Sequence, residues 1–254
     1  MYFLINNKKY QVKLSKIEEF ILICYNKAIK KEVFMKKIIG IVVEYNPFHN
    51  GHKYQIDKIK EVYPDSIIIV CMSSSFTQRG NYSIINKWDK TKLALLNGVD
   101  IVVELPYLYS TQSSDIFAKY SVKILNELKI DTLVFGSETE DIMGIIESAK
   151  TQLFNKYFDN IVKDYMDKGI NYPTALNNAL KDLNSAPIKT PNDLLALSYI
   201  KEILKNKYKI EPYNIKRTND YHDKSSNDDI VSSTNIRTKL LNHEDIRSEE
   251  RRVG

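Results

Sequence analysis

Cysteine and long apolar runs are both scarce in this sequence. Its 254 residues include only Cys24 and Cys71, so at most one disulfide is possible and no disulfide framework supports the fold. No group of Cys and His residues has the spacing of a zinc site. No segment approaches the ~20 apolar residues that a membrane span requires, and the apolar run at 20–24 is too short for a signal peptide. We therefore expect a protein of the reducing cytoplasm without a membrane anchor.

The excess of positive charge is modest. Lys and Arg number 37 against 32 Asp and Glu, which gives a net charge of +5. Such an excess permits a polyanionic partner without requiring one. Hydrophobic residues make up 43% of the chain and charged residues 27%, which is typical of a globular protein long enough to bury a sizeable core. Histidine is scarce as well, because the chain has only four.

Two of these histidines occur in one short stretch, residues 36–54, with the sequence KKIIGIVVEYNPFHNGHKY. Its apolar, β-branched run predicts a buried parallel strand. Asn46-Pro47 predicts the turn that follows the strand and leads into a helix. His49 and His52 then fall in the first turn of that helix, three residues apart and on one face.

The start of a helix suits a phosphate group, because it carries unpaired N–H groups and partial positive charge. Two imidazoles at that position can hydrogen-bond the α-phosphate of a nucleotide and stabilise charge that develops during adenylyl transfer. Gly51 removes a side chain where an adenine must lie close to backbone. The pattern is short, and a helix start with two solvated histidines is the alternative interpretation.

After the histidines, amphipathic segments alternate with apolar runs. The predicted helices are at 53–62, 87–97, 113–128 and 193–205, and the predicted strands are at 66–72, 99–105, 132–135 and 213–217. This alternation predicts an α/β fold, a doubly wound parallel sheet of the Rossmann-like type with right-handed crossovers. Residues 141–189 interrupt the alternation and are predicted to be a helical insertion.

Candidate ligand residues follow the predicted strands, where open α/β sheets bind their ligands. Arg79 can pair with a phosphate or a carboxylate, or be a solvated loop arginine. Gly136 lets backbone approach a ligand, or is an ordinary turn glycine. Asn192 stands at a helix start with Thr190 as N-cap and Pro191 at N1, so it either faces the ligand or caps the helix.

Two further predictions concern side chains away from the ligand. Lys87, Lys90 and Lys92 are predicted to form a solvated face of their helix, and an RNA contact is the alternative. Cys71 ends a strongly apolar strand and is predicted to be a small buried hydrophobic residue.

A second helix start is predicted near the C-terminus, at 230–237. Ser233 and Thr234 place hydroxyl groups at this helix start, and Arg237 adds a positive charge one turn later. A plain N-cap is the alternative for either hydroxyl.

With both motifs placed, the chain resembles the tRNA(Met) cytidine acetate ligase family, a bacterial family of adenylyl-transferring enzymes with the His-x-Gly-His motif. The resemblance covers residues 35–241 and rests on eight blocks in order: GIVVEYNPFHNGH, QRG, NGVDIVVELP, STQSSDIFA, FGSE, PND, IKRTNDYHD and SSTNIR. The two helix starts follow one another in the order that adenylyl transferases show.

This resemblance implies an activity. Members of the family activate acetate with ATP, giving acetyladenylate and pyrophosphate, and transfer the acetyl group to the N4 amine of the wobble cytidine of elongator tRNA(Met), releasing AMP. His49 and His52 would stabilise the α-phosphate transition state, Arg217 would contact phosphate, and Ser233 and Arg237 would hold the β- and γ-phosphates. The implied ATP site comprises Ile41, Val42, Val43, Glu44, Tyr45, Asn46, Pro47, Phe48, His49, Asn50, Gly51, His52, Lys53, Tyr54, Gly136, Asn192, Arg217, Ser233 and Arg237. Mg²⁺ is expected with ATP, but no carboxylate cluster identifies its ligands.

The resemblance also predicts the domain boundaries of the chain. Residues 1–34 are predicted to be an extension without a catalytic role, 35–241 a nucleotidyltransferase-like catalytic domain, and 242–254 an atypical tail where the family has a helical C-terminal domain. Two other functions remain open. One is another small-molecule adenylyltransferase of the same fold, and the other is a truncated, inactive fragment that binds ATP or RNA.

Overall fold

The computed structural model of the protein describes residues 2–5, 8–11, 36–217 and 232–244. The apolar spacing at 17–29 also predicts a short amphipathic helix, which lies outside these residues. The Tyr-His-Asp block at 221–223 and the tail from 245 onward lie outside them as well. Strands and helices are numbered in chain order within the described residues.

Seven strands form one sheet in the described part of the chain, in the order β2-β1-β5-β4-β3-β6-β7. Strands β3 to β7 are mutually parallel, as the alternating pattern predicted. Strand order reverses between β3 and β6, so this pair forms the switch point at which doubly wound sheets bind ligands. The strands are β1 (Tyr2–Ile5), β2 (Lys8–Gln11), β3 (Ile38–Val43), β4 (Ile67–Ser73), β5 (Ile101–Leu105), β6 (Thr132–Ser137) and β7 (Glu211–Lys216).

Helices cover both faces of this sheet. Helices α1 and α2 bury Ile56, Ile59, Leu93 and Ala94 against one face, whereas α4 and α8 pack together on the other and α5, α6 and α7 extend that layer. The helices are α1 (Asn50–Val62), α2 (Lys87–Leu96), α3 (Tyr107–Ser110), α4 (Ser114–Glu127), α5 (Ile142–Phe154), α6 (Phe158–Asp167), α7 (Tyr172–Asp182), α8 (Pro191–Asn206) and α9 (Ser233–Leu241). Helices α5 to α7 confirm the predicted helical insertion.

Strand β3 is the middle one of the five parallel strands, with β4 on one side and β6 on the other. Ile39 and Ile41 point to the α1 layer and are fully buried. Gly40 points to the opposite layer, where an added Cβ would lie 2.5 Å from Ile130 Cδ1. The glycine therefore lets the segment after α4 pack directly against the central strand.

Strands β1 and β2 extend the sheet in a way that the sequence pattern did not predict. They form an antiparallel hairpin, and β1 also pairs antiparallel with β5, with Phe3 opposite Val103. The hairpin thereby covers the edge that β5 would otherwise leave unpaired.

Within the described ranges, no helix has both the length and the apolar composition needed to cross a membrane.

Candidate active site

A cavity of about 840 Å³ opens at the carboxyl edge of the sheet and spans the switch point. Residues at the amino ends of α1, α4, α8 and α9 line it, so the positive ends of these helix dipoles meet there. Arg79, Arg217 and Arg237 also line it, and Glu44 supplies the single carboxylate that the described residues place on its wall. Both the dipoles and the side chains therefore favour a polyanionic ligand of nucleotide size.

His49 lies one residue earlier than predicted. It is the N-cap of α1 rather than part of its first turn, and His52 occupies the third helical position. The N–H groups in the first turn of a helix have no carbonyl acceptor within the helix, and the His49 side chain accepts from one of them. Gly51 N–H donates to His49 Nδ1 over 3.0 Å, which makes His49 the residue that caps the helix. His49 N–H in turn donates to His52 Nδ1 over 3.3 Å, which completes a capping box made of two histidines.

The capping box determines which ring nitrogens face outward as donors. A ring nitrogen that accepts a backbone N–H carries no proton, so in each neutral imidazole the proton resides on Nε2. Both His49 and His52 line the cavity, and their ring centroids are 4.0 Å apart. The arrangement therefore offers two neighbouring Nε2–H donors to one ligand group.

Both imidazoles are held neutral. Burial, together with the charges of Arg217 and Arg237, lowers the pKa of His49 to about 4. Burial, His49 and Arg217 hold the pKa of His52 well below its usual range. The site thus separates two tasks, because the histidines supply directed neutral donors and the arginines supply the positive charge.

The turn between β3 and α1 positions these rings. Tyr45 is buried and has a φ of 47°, a left-handed conformation that is uncommon for a bulky non-glycine residue. Its ring packs edge-on against His52, with centroids 4.7 Å apart, and against Phe48 at 4.9 Å. Aromatic packing therefore restricts the rotation of the His52 imidazole.

Helix α9 docks onto the same turn. Arg237 Nη1 donates to the carbonyl of Asn46 over 2.6 Å, and its Nη2 donates to Thr234 Oγ1 over 3.0 Å. Ser233 Oγ donates to the carbonyl of Pro47 over 3.3 Å. The two predicted motifs, nearly two hundred residues apart in sequence, are in direct contact, and the plain N-cap of α9 is Ser232 rather than Ser233 or Thr234.

The β6 side of the cavity is organised by the loop after that strand. Arg217 packs beside Gly136, where an added Cβ would lie 3.4 Å from Arg217 Cγ, an ordinary van der Waals contact. The Glu138 carboxylate accepts hydrogen bonds from Thr190 Oγ1 and Asn192 Nδ2. Thr190 occupies the N-cap position of α8, as predicted. Its hydroxyl donates to Glu138, however, and makes no hydrogen bond to the backbone of the helix. Asn192 lines the cavity, and its ligand-facing role stays a prediction.

A short hairpin, residues 75–83, forms the wall above β4. Phe76 pairs with Tyr82, and Gly80 turns the chain at a φ of 78°. Two side chains from the β3–α1 turn hold this hairpin in place: Glu44 Oε1 accepts from Gln78 N–H over 2.6 Å, and Asn46 Oδ1 accepts from the N–H of Ile84, just beyond it, over 2.8 Å. Arg79 lies at its tip and lines the cavity.

The prediction of a solvated lysine face is wrong for Lys90. This residue is only 1% exposed, and its ammonium donates to the carbonyls of Glu44 (2.9 Å), Ser73 (2.9 Å) and Ser74 (2.6 Å). Burial lowers its pKa to about 8 against the opposing effect of the Glu44 and Glu104 carboxylates. Lys90 therefore joins the carboxyl ends of β3 and β4 directly beneath the cavity. Lys87 forms a half-buried ion pair with Glu104, and Lys92 is exposed.

Twelve of the residues assigned to the ATP site lie on the cavity wall: Val42, Val43, Glu44, Tyr45, Asn46, His49, His52, Gly136, Asn192, Arg217, Ser233 and Arg237. The other seven do not line it: Ile41, Pro47, Phe48, Asn50, Gly51, Lys53 and Tyr54. Ile41 and Phe48 belong to the core, and Lys53 forms an ion pair with Asp57 on α1. Cys71 is buried, as predicted, and burial raises the pKa of its thiol to about 12.

Three features of the site were given no role from the sequence, although the STQSSDIFA and PND blocks contain some of the residues concerned. Gln112, Ser113 and Ser114 bring the amino end of α4 to the cavity, although Ser113 itself makes no side-chain cap. Lys90 and Asp193 act from behind the wall, and Asp193 accepts a hydrogen bond from Glu138 N–H over 3.0 Å. Each of these roles depends on contacts between distant segments, so no local pattern indicates them.

The fold and the cavity define a nucleotide-binding α/β protein with paired histidines at a helix start. The family model for HIGH Nucleotidyl Transferase matches residues 35–253. The chain belongs to this nucleotidyl transferase family.

Comparison with individual relatives shows similarity to particular enzymes of this family. The chain is 43% identical over 209 residues to the tRNA(Met) cytidine acetate ligase of a Geobacillus species, covering 80% of this chain and 52% of the relative. It is 42% identical over 209 residues to the enzyme of the same name from Mycoplasma mobile, covering 82% of this chain and 70% of the relative. The crystal structure of Thermotoga maritima TmcAL bound with alpha-thio ATP superimposes with a TM-score of 0.74 at 32% identity, covering 84% of this chain and 53% of that one. The chain thus spans about half the length of most of these relatives.

Proposed function

We propose that this protein is an ATP-dependent ligase that activates acetate as acetyladenylate and transfers the acetyl group to the wobble cytidine of elongator tRNA(Met). The observation that carries the proposal is the pair of neutral imidazoles, each with Nε2–H available, inside an electropositive cavity at the switch point. The names of the relatives and the ATP analogue bound to the Thermotoga protein support the choice of substrates.

The first step is attack of an acetate oxygen on the α-phosphorus of ATP. A new P–O bond forms, the bond from the α-phosphorus to the bridging oxygen breaks, and pyrophosphate leaves with that oxygen. Negative charge accumulates on the α-phosphate oxygens during this exchange, and the Nε2–H groups of His49 and His52 stabilise it. Arg217 and Arg237 balance the charge of the leaving pyrophosphate.

The second step transfers the acetyl group. The N4 amine of cytidine attacks the carbonyl carbon of acetyladenylate and forms the N–C bond, while the C–O bond to the phosphate breaks. AMP leaves with the electron pair of that bond, and the amine releases its proton to water. The neutral histidines need no change of protonation state for either step, since the pKa of His49 is about 4. A cytoplasmic location, the expectation from the sparse cysteine content, is part of this proposal.

The residues around the cavity do not fit a dedicated magnesium site. Within the described residues, no group of three or more His, Cys, Asp or Glu side chains is placed to hold a metal ion. Glu44, which supplies the one carboxylate on the described cavity wall, already accepts the Gln78 N–H. Mg²⁺ would therefore arrive on the phosphates of ATP, where it usually keeps several water ligands.

The test of the first step is ATP–pyrophosphate exchange with the purified chain. We expect exchange that depends on acetate and is weaker with propionate or formate. Exchange with another small carboxylate, and none with acetate, would mean that the protein adenylates a carboxylate other than acetate. ATP binding without exchange in the presence of any carboxylate would support an inactive nucleotide-binding fragment and contradict the proposal.

The second step requires a separate measurement, because the chain spans about half the length of most relatives compared. We expect radiolabelled acetate to enter elongator tRNA(Met) but not the same tRNA with uridine at the wobble position. Pyrophosphate exchange without transfer of acetate to RNA would mean that this chain catalyses only the activation of acetate.

A further inference from the structure

An exposed group of aromatic rings lies on the hairpin side of the cavity. Tyr82 is 78% exposed and Tyr107 is 57% exposed, and both rings pack on Phe76, with centroid distances of 4.8 Å and 5.0 Å. Scattered exposed aromatics are ordinary, but three rings joined through a shared neighbour form a defined apolar surface. We call Phe76, Tyr82 and Tyr107 the aromatic platform.

The aromatic platform is continuous with the candidate active site. Tyr82 is both highly exposed and part of the cavity wall, so it marks the mouth of the cavity. Other residues of the same hairpin, including Gln78 and Arg79, line the interior. A group that rests on the platform is therefore adjacent to any ligand that the cavity holds.

The hairpin that carries the platform is held firmly. Thr77 N–H donates to the carbonyl of Asn81, and Gly80 N–H donates to that of Thr77, both over 2.9 Å. Glu44 and Asn46 anchor it from the β3–α1 turn, and Lys90 binds the carbonyl of Ser74 at its base. The rings are thus pre-organised, which lowers the entropy cost of binding a flat ligand.

We propose that the aromatic platform stacks an unpaired nucleobase of an RNA substrate at the mouth of the cavity. The proposal rests on the proposed function, whose acceptor is a base amine that must reach the activated acetyl group. Stacking on aromatic side chains is how proteins hold splayed-out bases, and it tolerates any base because each has a π-face. Arg79, an exposed cation on the same hairpin, complements the phosphates that flank such a base.

The chain offers a matched control for these rings. Tyr157 is 56% exposed, nearly the same as Tyr107, but it precedes α6 in the helical insertion and does not line the cavity. Replacing Tyr157 by alanine removes an equally exposed tyrosine without touching the platform. Replacing Tyr82 by phenylalanine keeps the stacking ring and removes only the hydroxyl.

The experiment is RNA binding by fluorescence anisotropy, with a short hairpin RNA whose loop contains an unpaired cytidine. We expect Tyr82→Ala to weaken binding about tenfold, since base–aromatic stacking contributes roughly 1–3 kcal/mol per base. Tyr107→Ala should weaken it less, whereas Tyr82→Phe and Tyr157→Ala should keep the wild-type affinity. A fully paired RNA duplex should show no dependence on Tyr82.

Four results would overturn the proposal: no binding of the hairpin by the wild-type chain, unchanged affinity in Tyr82→Ala, an equal loss in Tyr157→Ala, or an equal loss with the duplex. Thermal unfolding of each variant checks that the fold is retained. Failure here is distinct from failure of the proposed function, because acetate-dependent pyrophosphate exchange by the wild-type chain is measured without RNA.

Discussion

The two ends of the cavity are built from different kinds of contact. At the switch point, His49 and His52 are held by backbone N–H groups two and three residues away. At the hairpin, Gln78 and Ile84 are held by side chains 34 and 38 residues away, and Lys90 reaches the Glu44 carbonyl across 46 residues. The histidine end therefore depends on local helix chemistry, whereas the hairpin end depends on the assembled sheet. Variants at each end should separate these two kinds of dependence.

The largest effect is expected at the histidine end, on rate. In His49→Asn, the amide oxygen still accepts the Gly51 N–H as an N-cap, but the Nε2–H donor is lost. We expect acetate-dependent exchange to fall about 10²–10³-fold, the usual loss for one donor to a developing oxyanion, with little change in the free energy of unfolding. His49→Ala serves as the comparison, because it should lose the rate and also about 1 kcal/mol of stability.

If His49→Asn weakens ATP affinity more than it lowers the rate, His49 only binds the nucleotide. Steady-state kinetics with ATP titrated at saturating acetate separates the two effects.

At the hairpin end, Lys90→Met should chiefly lower stability. Methionine fills the buried volume but leaves three carbonyls without their donor, so we expect the free energy of unfolding to fall by about 3 kcal/mol. Urea unfolding measures this change. Lys92→Met, at an exposed position on the same helix, is the matched control and should change stability by less than about 0.5 kcal/mol. Equal losses in both variants would argue against the buried role of Lys90.

The pH dependence of stability should distinguish the histidine end from the hairpin end. The pKa of His49 is about 4 in the folded protein, against an ordinary value of 6.5 in the unfolded chain. The unfolded chain therefore takes up a proton first as pH falls below 6.5, and the folded state loses stability until about pH 4. Between pH 7.5 and pH 5 this single group should cost roughly 2 kcal/mol.

His49→Asn should remove that part of the pH dependence, so its unfolding free energy should fall about 2 kcal/mol less than that of the wild type over the same interval. Parallel pH profiles for the two proteins would contradict the lowered pKa of His49.

The smallest effect is expected at the anchor of the hairpin. Glu44→Ala leaves the Gln78 N–H without its acceptor and should lower stability by about 1 kcal/mol, whereas Glu44→Gln keeps an acceptor and should change it little. Chemical unfolding of both variants tests this pair. If Glu44→Gln loses as much as Glu44→Ala, charge rather than the hydrogen bond holds the hairpin.

Sequence patterns predicted the elements that local chemistry determines. The parallel strands and most helix bounds agree with the structure to within about two residues, because buried β-branched runs and helical periodicity are local signals. Prediction was wrong for Lys90 because amphipathic spacing cannot show that an ammonium will meet three carbonyls at the ends of two neighbouring strands. The pairing of β1 with β5 had no signal either, since it joins segments about a hundred residues apart.

The sequence alone determined that a strand, a turn and a helix start place His49 and His52 together, because these features depend on neighbouring residues. It also predicted a second helix start near Ser233 and Arg237, and phosphate binding there remains a prediction. Only the tertiary structure decided that this second helix start contacts Asn46 and Pro47, that the amino ends of α1, α4, α8 and α9 meet at one cavity, and that the aromatic platform opens into it. Those contacts arise when packing against both faces of the sheet brings segments that are distant in sequence to one edge. A local sequence pattern carries no information about which distant segments will meet there.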